Sequence, residues 1–447
     1  MISVQNLLQP LNGNKKLLLV LFLLSSVLIQ SCSSWKFSQE QLNLEEKYQR
    51  HQTEKPIEVV PAKDSVQQTE VNLPEKIDSL ASIYPFIQKE KYNIAYILPL
   101  YLNEIYDEEF KQKRISKLAQ EYYMGAKLAL EDSVPNLGLN LQVQIFDNYS
   151  GSDSSISHIL SLIDKDSFDL IVGPFLNTHM DEFSAYSQMH MLPIISPLSI
   201  KKGFLENPYF ISCRPAKYTH LEKSSQLMTK HFKNYHLLVL ASDNTELEYI
   251  KEKVMLYSDS TTFKSMHFMV VDHGNWGKAE YLHQLAKDSN LIYIPTHDVV
   301  VINSVVTNLI GVIDFDKEEQ KNKINVLAPY KWLNKSAVEI NMLDKLNSYF
   351  TSEPILDFSD SSTIEFVKSY RQAYKTEPNN YAWLGYQGVL LYSQLMVEHG
   401  KYIQRALIEK ETACDGFTFL RRKAGNGFEK STIWLFKFEE HKLKRVK

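Results

Sequence analysis

Short apolar runs that end in polar loops, with helix-length stretches between them, most limit how this chain can fold. In YNIAYILPLY, residues 94–98 are apolar almost without a break, as expected of a strand buried on both faces. LAQEYYMGAKLALEDS then carries helical spacing through Leu118, Tyr122, Ala126, Ala129 and Leu130. The strand LNLQVQIFDN ends at Asp147 and Asn148, and a helix over SSISHILSLID follows. Next come a strand at 169–172, the helix THMDEFSAYSQMH and a strand at 192–195. Strands alternating with helices in this way argue for an α/β, doubly wound parallel sheet.

The same order of elements then recurs without any sequence repeat. HLEKSSQLMTKHF reads as a helix, HLLVLAS as a strand and NTELEYIKEKVMLYS as a helix. The strands SMHFMVV and NLIYIPT, a helix over 299–309 and the strand INVLAP complete the series. At 447 residues the chain is too long for one ordinary core, so two lobes are expected. After Lys331 the alternation stops: two helices flank EPNN at 377–380, and the tail reads as a hairpin. Its turn is Gly425, Asn426 and Gly427, with residues 433–438 as its second strand.

The N-terminus has its own pattern. Lys15 and Lys16 precede an apolar run over 17–29, which as a helix covers only about 20 Å, short of a bilayer core. This is the pattern of a secretory signal, residues 1–31. The run ends Leu28, Ile29, Gln30, Ser31, Cys32 and resembles a bacterial lipobox. That resemblance implies a palmitate-type diacyl anchor on Cys32, and Ser33 after it favours the outer membrane. A signal anchor with an incidental cysteine is the alternative. Residues 32–92 are polar, with scattered prolines and no lasting apolar period, so a disordered tether is expected. Its end-to-end distance would be on the order of 40 Å. Cys213 and Cys414 remain, either as a disulfide or as separate thiols.

The chemistry-bearing motifs argue against an enzyme. A formal charge of −4 and the lack of a long basic run give no reason to expect nucleic acid. Ser199 and Lys202 have Ser-x-x-Lys spacing, but the partner motifs of penicillin-binding enzymes are missing. The thirteen histidines are dispersed without metal-ligand spacing, and no phosphate loop or nucleophile elbow is present. No metal and no cofactor is expected.

IAYILPLY, YYMGAKLALED, LQVQIFDNYSGSD, DLIVGPFLN, LPIISPLS, NPYFISCRPAK and FVKSYRQAYKTEPNNYAWLGYQGVLLYSQL occur in that order. Together they resemble the type I periplasmic-binding family, the leucine-type solute receptors of ABC transporters. The resemblance implies a three-crossing hinge, with lobe one at 93–212 plus 356–402 and lobe two at 213–355 plus 403–447. It also implies a small-molecule ligand in the interlobe cleft, gripped at the carboxyl ends of strands. The candidates are Tyr101, Asn177, Thr178, Ser196 and Ser199 in lobe one, and Asp243, Asn244, Thr296, His297 and Tyr330 in lobe two. The same residue types serve as helix N-caps, so a purely local role stays open for each. Trp332 reads either as an aromatic wall or as packing. Two functions fit. One is a periplasm-facing, lipid-anchored receptor for an amino acid-like, peptide or cell-wall solute, working with an ABC permease. The other is a non-enzymatic module regulating an envelope enzyme such as a peptidoglycan synthase.

Overall fold

The computed structural model describes residues 83–447 apart from 103–113, 149–152, 164–166, 176, 178, 199–201, 272–278, 316–322, 336–337, 410–416 and 424. The expected signal, Cys32, Thr178, Ser199 and Cys414 lie outside the described residues.

Two seven-stranded sheets carry the fold. Sheet one has the order β11-β12-β5-β4-β3-β1-β2 and sheet two the order β14-β13-β10-β9-β8-β6-β7. In sheet one, β1 (Lys91–Leu98), β2 (Asn140–Asp147), β3 (Leu170–Val172), β4 (Ile194–Ser196) and β5 (Phe210–Ser212) are all parallel. In sheet two, β6 (Tyr235–Ala241), β7 (Phe263–Val270), β8 (Asn290–Tyr293), β9 (Ile324–Pro329) and β10 (Ser348–Ser352) are parallel as well. The three apolar runs at 94–98, 169–172 and 192–195 therefore lie side by side and point the same way, as the alternation requires.

Each sheet is covered by helices. Helix α1 (Arg114–Asp132) crosses α9 (Asn380–His399) on sheet one, where Tyr122, Ala126 and Ala129 share a core with Val389 and Tyr392. The opposite face of sheet one takes α2 (Asp153–Leu162) and α3 (Met180–Met189). On sheet two, α4 (Lys217–His231) and α5 (Asn244–Tyr257) pack on one face and α6 (Val299–Phe315) on the other.

The chain passes between the sheets three times: after β5, after β10 and after β12 (Phe428–Lys430). The last crossing differs from the expected division at 402–403. Strands β11 (Phe419–Leu420) and β12 join sheet one, and only β13 (Trp434–Glu439) and β14 (Lys442–Val446) join sheet two. The single expected hairpin is thus two hairpins, one per sheet. The start of the domain also differs. Tyr84 is fully buried against Tyr209 and Tyr402, so packed structure begins before residue 92.

Candidate functional site

The tips of sheet one are shaped by backbone capture. Asp147, the last residue of β2, accepts the N–H groups of Leu100 (2.9 Å), Tyr101 (3.2 Å) and Leu102 (2.7 Å). That ties the loop after β1 to its neighbour and sets Tyr101 at a φ of 59°. After β3, Gly173 has a φ of 117°, and a Cβ there would meet the Ile97 carbonyl oxygen at 2.4 Å, so only glycine fits. Phe175 then turns inward onto Tyr122, ring centroids 4.9 Å apart. Asn177 is exposed, with its carbonyl accepting from the Met180 N–H. Ser196 is fully buried at the end of β4, and its carbonyl accepts from the Cys213 N–H at 2.9 Å.

In sheet two, two expected contact residues are engaged by nearby backbone, Asp243 as a helix cap and Thr296 in a turn. Asp243 caps α5 by accepting the Glu246 N–H at 2.8 Å, and Glu246 reaches back to accept the Ser242 N–H at 2.9 Å. Asn244 opens that helix and is exposed. Thr296 Oγ1 accepts the Asp298 N–H at 3.1 Å, while its carbonyl accepts from Trp332 Nε1 at 2.9 Å. Trp332 is wholly buried, so packing is its role. His297 lies beside this loop with Nδ1 buried and unpartnered. Burial first, then the charges of Lys331, His220, Lys335 and Lys217, push its pKa down to about 3. Burial raises the pKa of Tyr330, and the Asn380 side chain at the start of α9 opposes that.

The crossings supply charged groups that strand patterns alone did not single out. Arg214, just past β5, donates from Nε (3.0 Å) and Nη2 (2.8 Å) to one Glu353 oxygen, just past β10. Burial favours the protonated form of Glu353, but Arg214 and Lys430 outweigh it and lower its pKa. Lys430 closes β12 at 1% exposure, with Nζ 4.3 Å from the centroid of the Phe417 ring. Burial lowers the Lys430 pKa and raises that of the free Cys213 thiol to about 12. Each crossing therefore brings one of Arg214, Glu353 and Lys430 to a common cluster. The strand-end rule that picked Thr296 and Tyr330 would have found them had β10 and β12 been legible.

Two parallel sheets with polar loops at their strand ends, covering helices and three crossings make a recognisable whole. The fold is that of the type I periplasmic-binding proteins. A putative branched-chain amino acid ABC transporter protein from Rhodospirillum rubrum superimposes with a TM-score of 0.59 at 13% identity, covering 80% of this chain and 100% of that one. An ABC transporter substrate-binding protein from Desulfitobacterium hafniense gives 0.50 at 14% identity, covering 80% and 100%. At such identities the likeness is one of fold. No protein-family model matches the sequence, and no curated protein does either. Within this periplasmic-binding fold, Tyr101, Ser196, Thr296, His297 and Tyr330 follow strand tips, whereas Asp243 is held as a cap. Among the described residues, no group of three or more His, Cys, Asp or Glu side chains is placed to hold a metal. Two surface grooves, about 260 and 330 Å³, run along α4 instead, lined by residues such as Lys223, Gln226 and Lys230.

Proposed function

We propose that this chain is a solute receptor of the bacterial envelope, anchored through a lipid on Cys32 and facing the periplasm from the outer membrane. It would hold a small polar solute, such as an amino acid, a peptide or a cell-wall fragment, between the tips of its two sheets. The observation that carries this reading is a pair of parallel sheets joined by three crossings, each with polar loops at the carboxyl ends of its strands. Open parallel sheets collect ligands at such ends, and hinged lobes close over them. Tyr101, His297 and Tyr330 are the contact residues this reading retains, with Asn177, Thr178 and Ser199 as further lobe-one candidates. The test is thermal unfolding of the full mature chain against a panel of those solutes. A rise of several degrees with one of them supports the receptor, and no rise with any rejects it.

A second reading has its own support. Asp243 and Thr296 are engaged with backbone, and Phe175, in the loop that leads to Asn177, fills the core beside Tyr122. A cleft altered in this way suits a domain that docks an envelope enzyme such as a peptidoglycan synthase rather than delivering solute to an ABC permease. Cross-linking in intact cells separates the two: one dominant enzyme adduct favours docking, and adducts with a permease favour delivery.

A further inference from the structure

We propose that β2, at the free edge of sheet one, pairs with β2 of a second copy of this chain, antiparallel and about a twofold axis at Val143. The pairing concerns assembly and does not depend on the receptor reading.

Among the described residues four strands end a sheet: β11 and β2 in sheet one, β14 and β7 in sheet two. An edge offers unpaired N–H and C=O groups to any other strand, so folded chains blunt it with short length, lysines or irregular pairing. Three of these four are blunted. β11 has two residues. β14 reads KLKRV, with Lys442, Lys444 and Arg445. β7 carries Lys264, which reaches Asp288, and its pairing with β6 slips between Tyr235 and His236. β2 has none of these devices. It runs for eight residues, NLQVQIFD, pairs with β1 without a break from Asn140 to Asp147, and has no charge before Asp147.

The direction of its backbone groups follows from one bond at its end. The Asn148 N–H donates to the Leu98 carbonyl of β1 at 3.2 Å. Successive residues of a strand turn these groups to opposite sides, so 142, 144 and 146 also turn theirs to β1. Leu141, Val143 and Ile145 therefore point their N–H and C=O at the open edge. An antiparallel copy centred on Val143 places 141 opposite 145, 143 opposite 143, and 145 opposite 141. Each such pair exchanges two N–H···O bonds, so every outward group from 141 to 145 is met.

The side chains agree with that register. Opposite residues share a face, so Leu141, Val143 and Ile145, half-buried against the core under α1 and α9, meet the same apolar row. On the other face the exposed Gln142 and Gln144 meet Gln144 and Gln142, amides that can bond to each other without repulsion. Asp147 falls opposite Leu139, so no charge meets a like charge. A twofold interface of this kind closes at two copies.

Sedimentation velocity of the full chain in excess detergent, followed against protein concentration, tests this. The wild type should reach twice the mass of one chain. Gln142→Lys with Gln144→Lys sets like charges opposite each other twice, and should raise the dimer dissociation constant roughly tenfold or more. Gln142→Lys with Gln144→Glu sets unlike charges there and should restore the dimer. Both positions are exposed, so the fold is kept, which thermal melts check. Val143→Pro removes an N–H aimed at the open edge while sparing the bonds to β1, and should also give a monomer. A wild type that is monomeric at every concentration overturns the proposal. A dimer that survives the double lysine variant, or a folded Val143→Pro, overturns the pairing at β2. A dimer that the two lysines break and the lysine–glutamate variant does not regain overturns the antiparallel register.

Discussion

The carboxylate of Asp147 accepts three successive backbone N–H groups, so one side chain fixes the whole loop after β1. Asp147→Ala strips those donors of their partner, and should cost about 1–3 kcal/mol in a urea unfolding titration. Asp147→Asn, which keeps one oxygen, should cost less. The buried histidines set a pH response of definite sign. His220 is held at about 4 rather than 6.5, chiefly by burial, with Lys331 and Arg214 adding and Glu353 opposing. The unfolded chain takes up that proton below about 6.5, while the folded chain resists until about 4. Stability from this group is therefore complete above pH 6.5 and falls as the pH drops through that window. His297, at about 3, acts in the same direction. His220→Gln should flatten the decline in melting temperature between pH 7 and pH 4, and an unchanged slope would exclude His220 as its source. At this scale the sequence was least informative. Asp243 and Thr296 followed strands as a ligand contact would, but a short polar side chain there can equally cap a helix, as Asp243 does, or close a turn, as Thr296 does.

Helices α1 and α9 touch backbone to backbone. A Cβ on Gly125 would lie 1.8 Å from the Ala382 carbonyl oxygen, and one on Gly385 would lie 2.0 Å from that of Tyr122. Neither carbonyl can step aside without moving its helix, so Gly125→Ala and Gly385→Ala should each destabilise the protein by roughly 1–3 kcal/mol or more. Gly388, whose nearest neighbour is the Tyr122 hydroxyl at 3.5 Å, should accept alanine with little change. Thermal melts of the three variants separate the close crossing from a general dislike of substitution. Both helices were visible in the sequence because their apolar period is long, and the strands at 94–98, 169–172 and 324–329 because they are nearly all apolar. The elements that escaped lack those signals. β10 reads SYFTS, too short and too polar to stand out, although it is buried at four of its five positions. The turn between β13 and β14 is Glu440 and His441, with φ of 53° and 58°, and has no glycine to mark it. The conspicuous turn at 425–427 therefore drew the whole tail into one hairpin, when it joins only β11 and β12.

Over the whole molecule, the strand tips and the entry of the N-terminal segment lie at opposite edges of sheet one. Tyr84 packs edge-on against Tyr209 with centroids 5.8 Å apart, and its hydroxyl donates to the Pro208 carbonyl at 2.8 Å. Both partners precede β5, so they mark the edge where the parallel strands begin. Arg405 donates to the Tyr84 carbonyl at 3.0 Å, and Lys401 N–H to that of Ile87 at 2.8 Å. Lys89 meets Asp169 at 2.6 Å just ahead of β3. The segment is also part of the core: Tyr84 is fully buried, and replacing a large buried aromatic by alanine costs about 3–5 kcal/mol. Tyr84→Ala should therefore lower the melting temperature by several degrees, and Tyr84→Phe, which removes only the Pro208 hydrogen bond, by a small part of that. A solute that binds the wild-type tips should bind Tyr84→Phe with unchanged affinity, because the substitution is at the far edge. Loss of binding without loss of stability would mean that the two edges are coupled through the sheet.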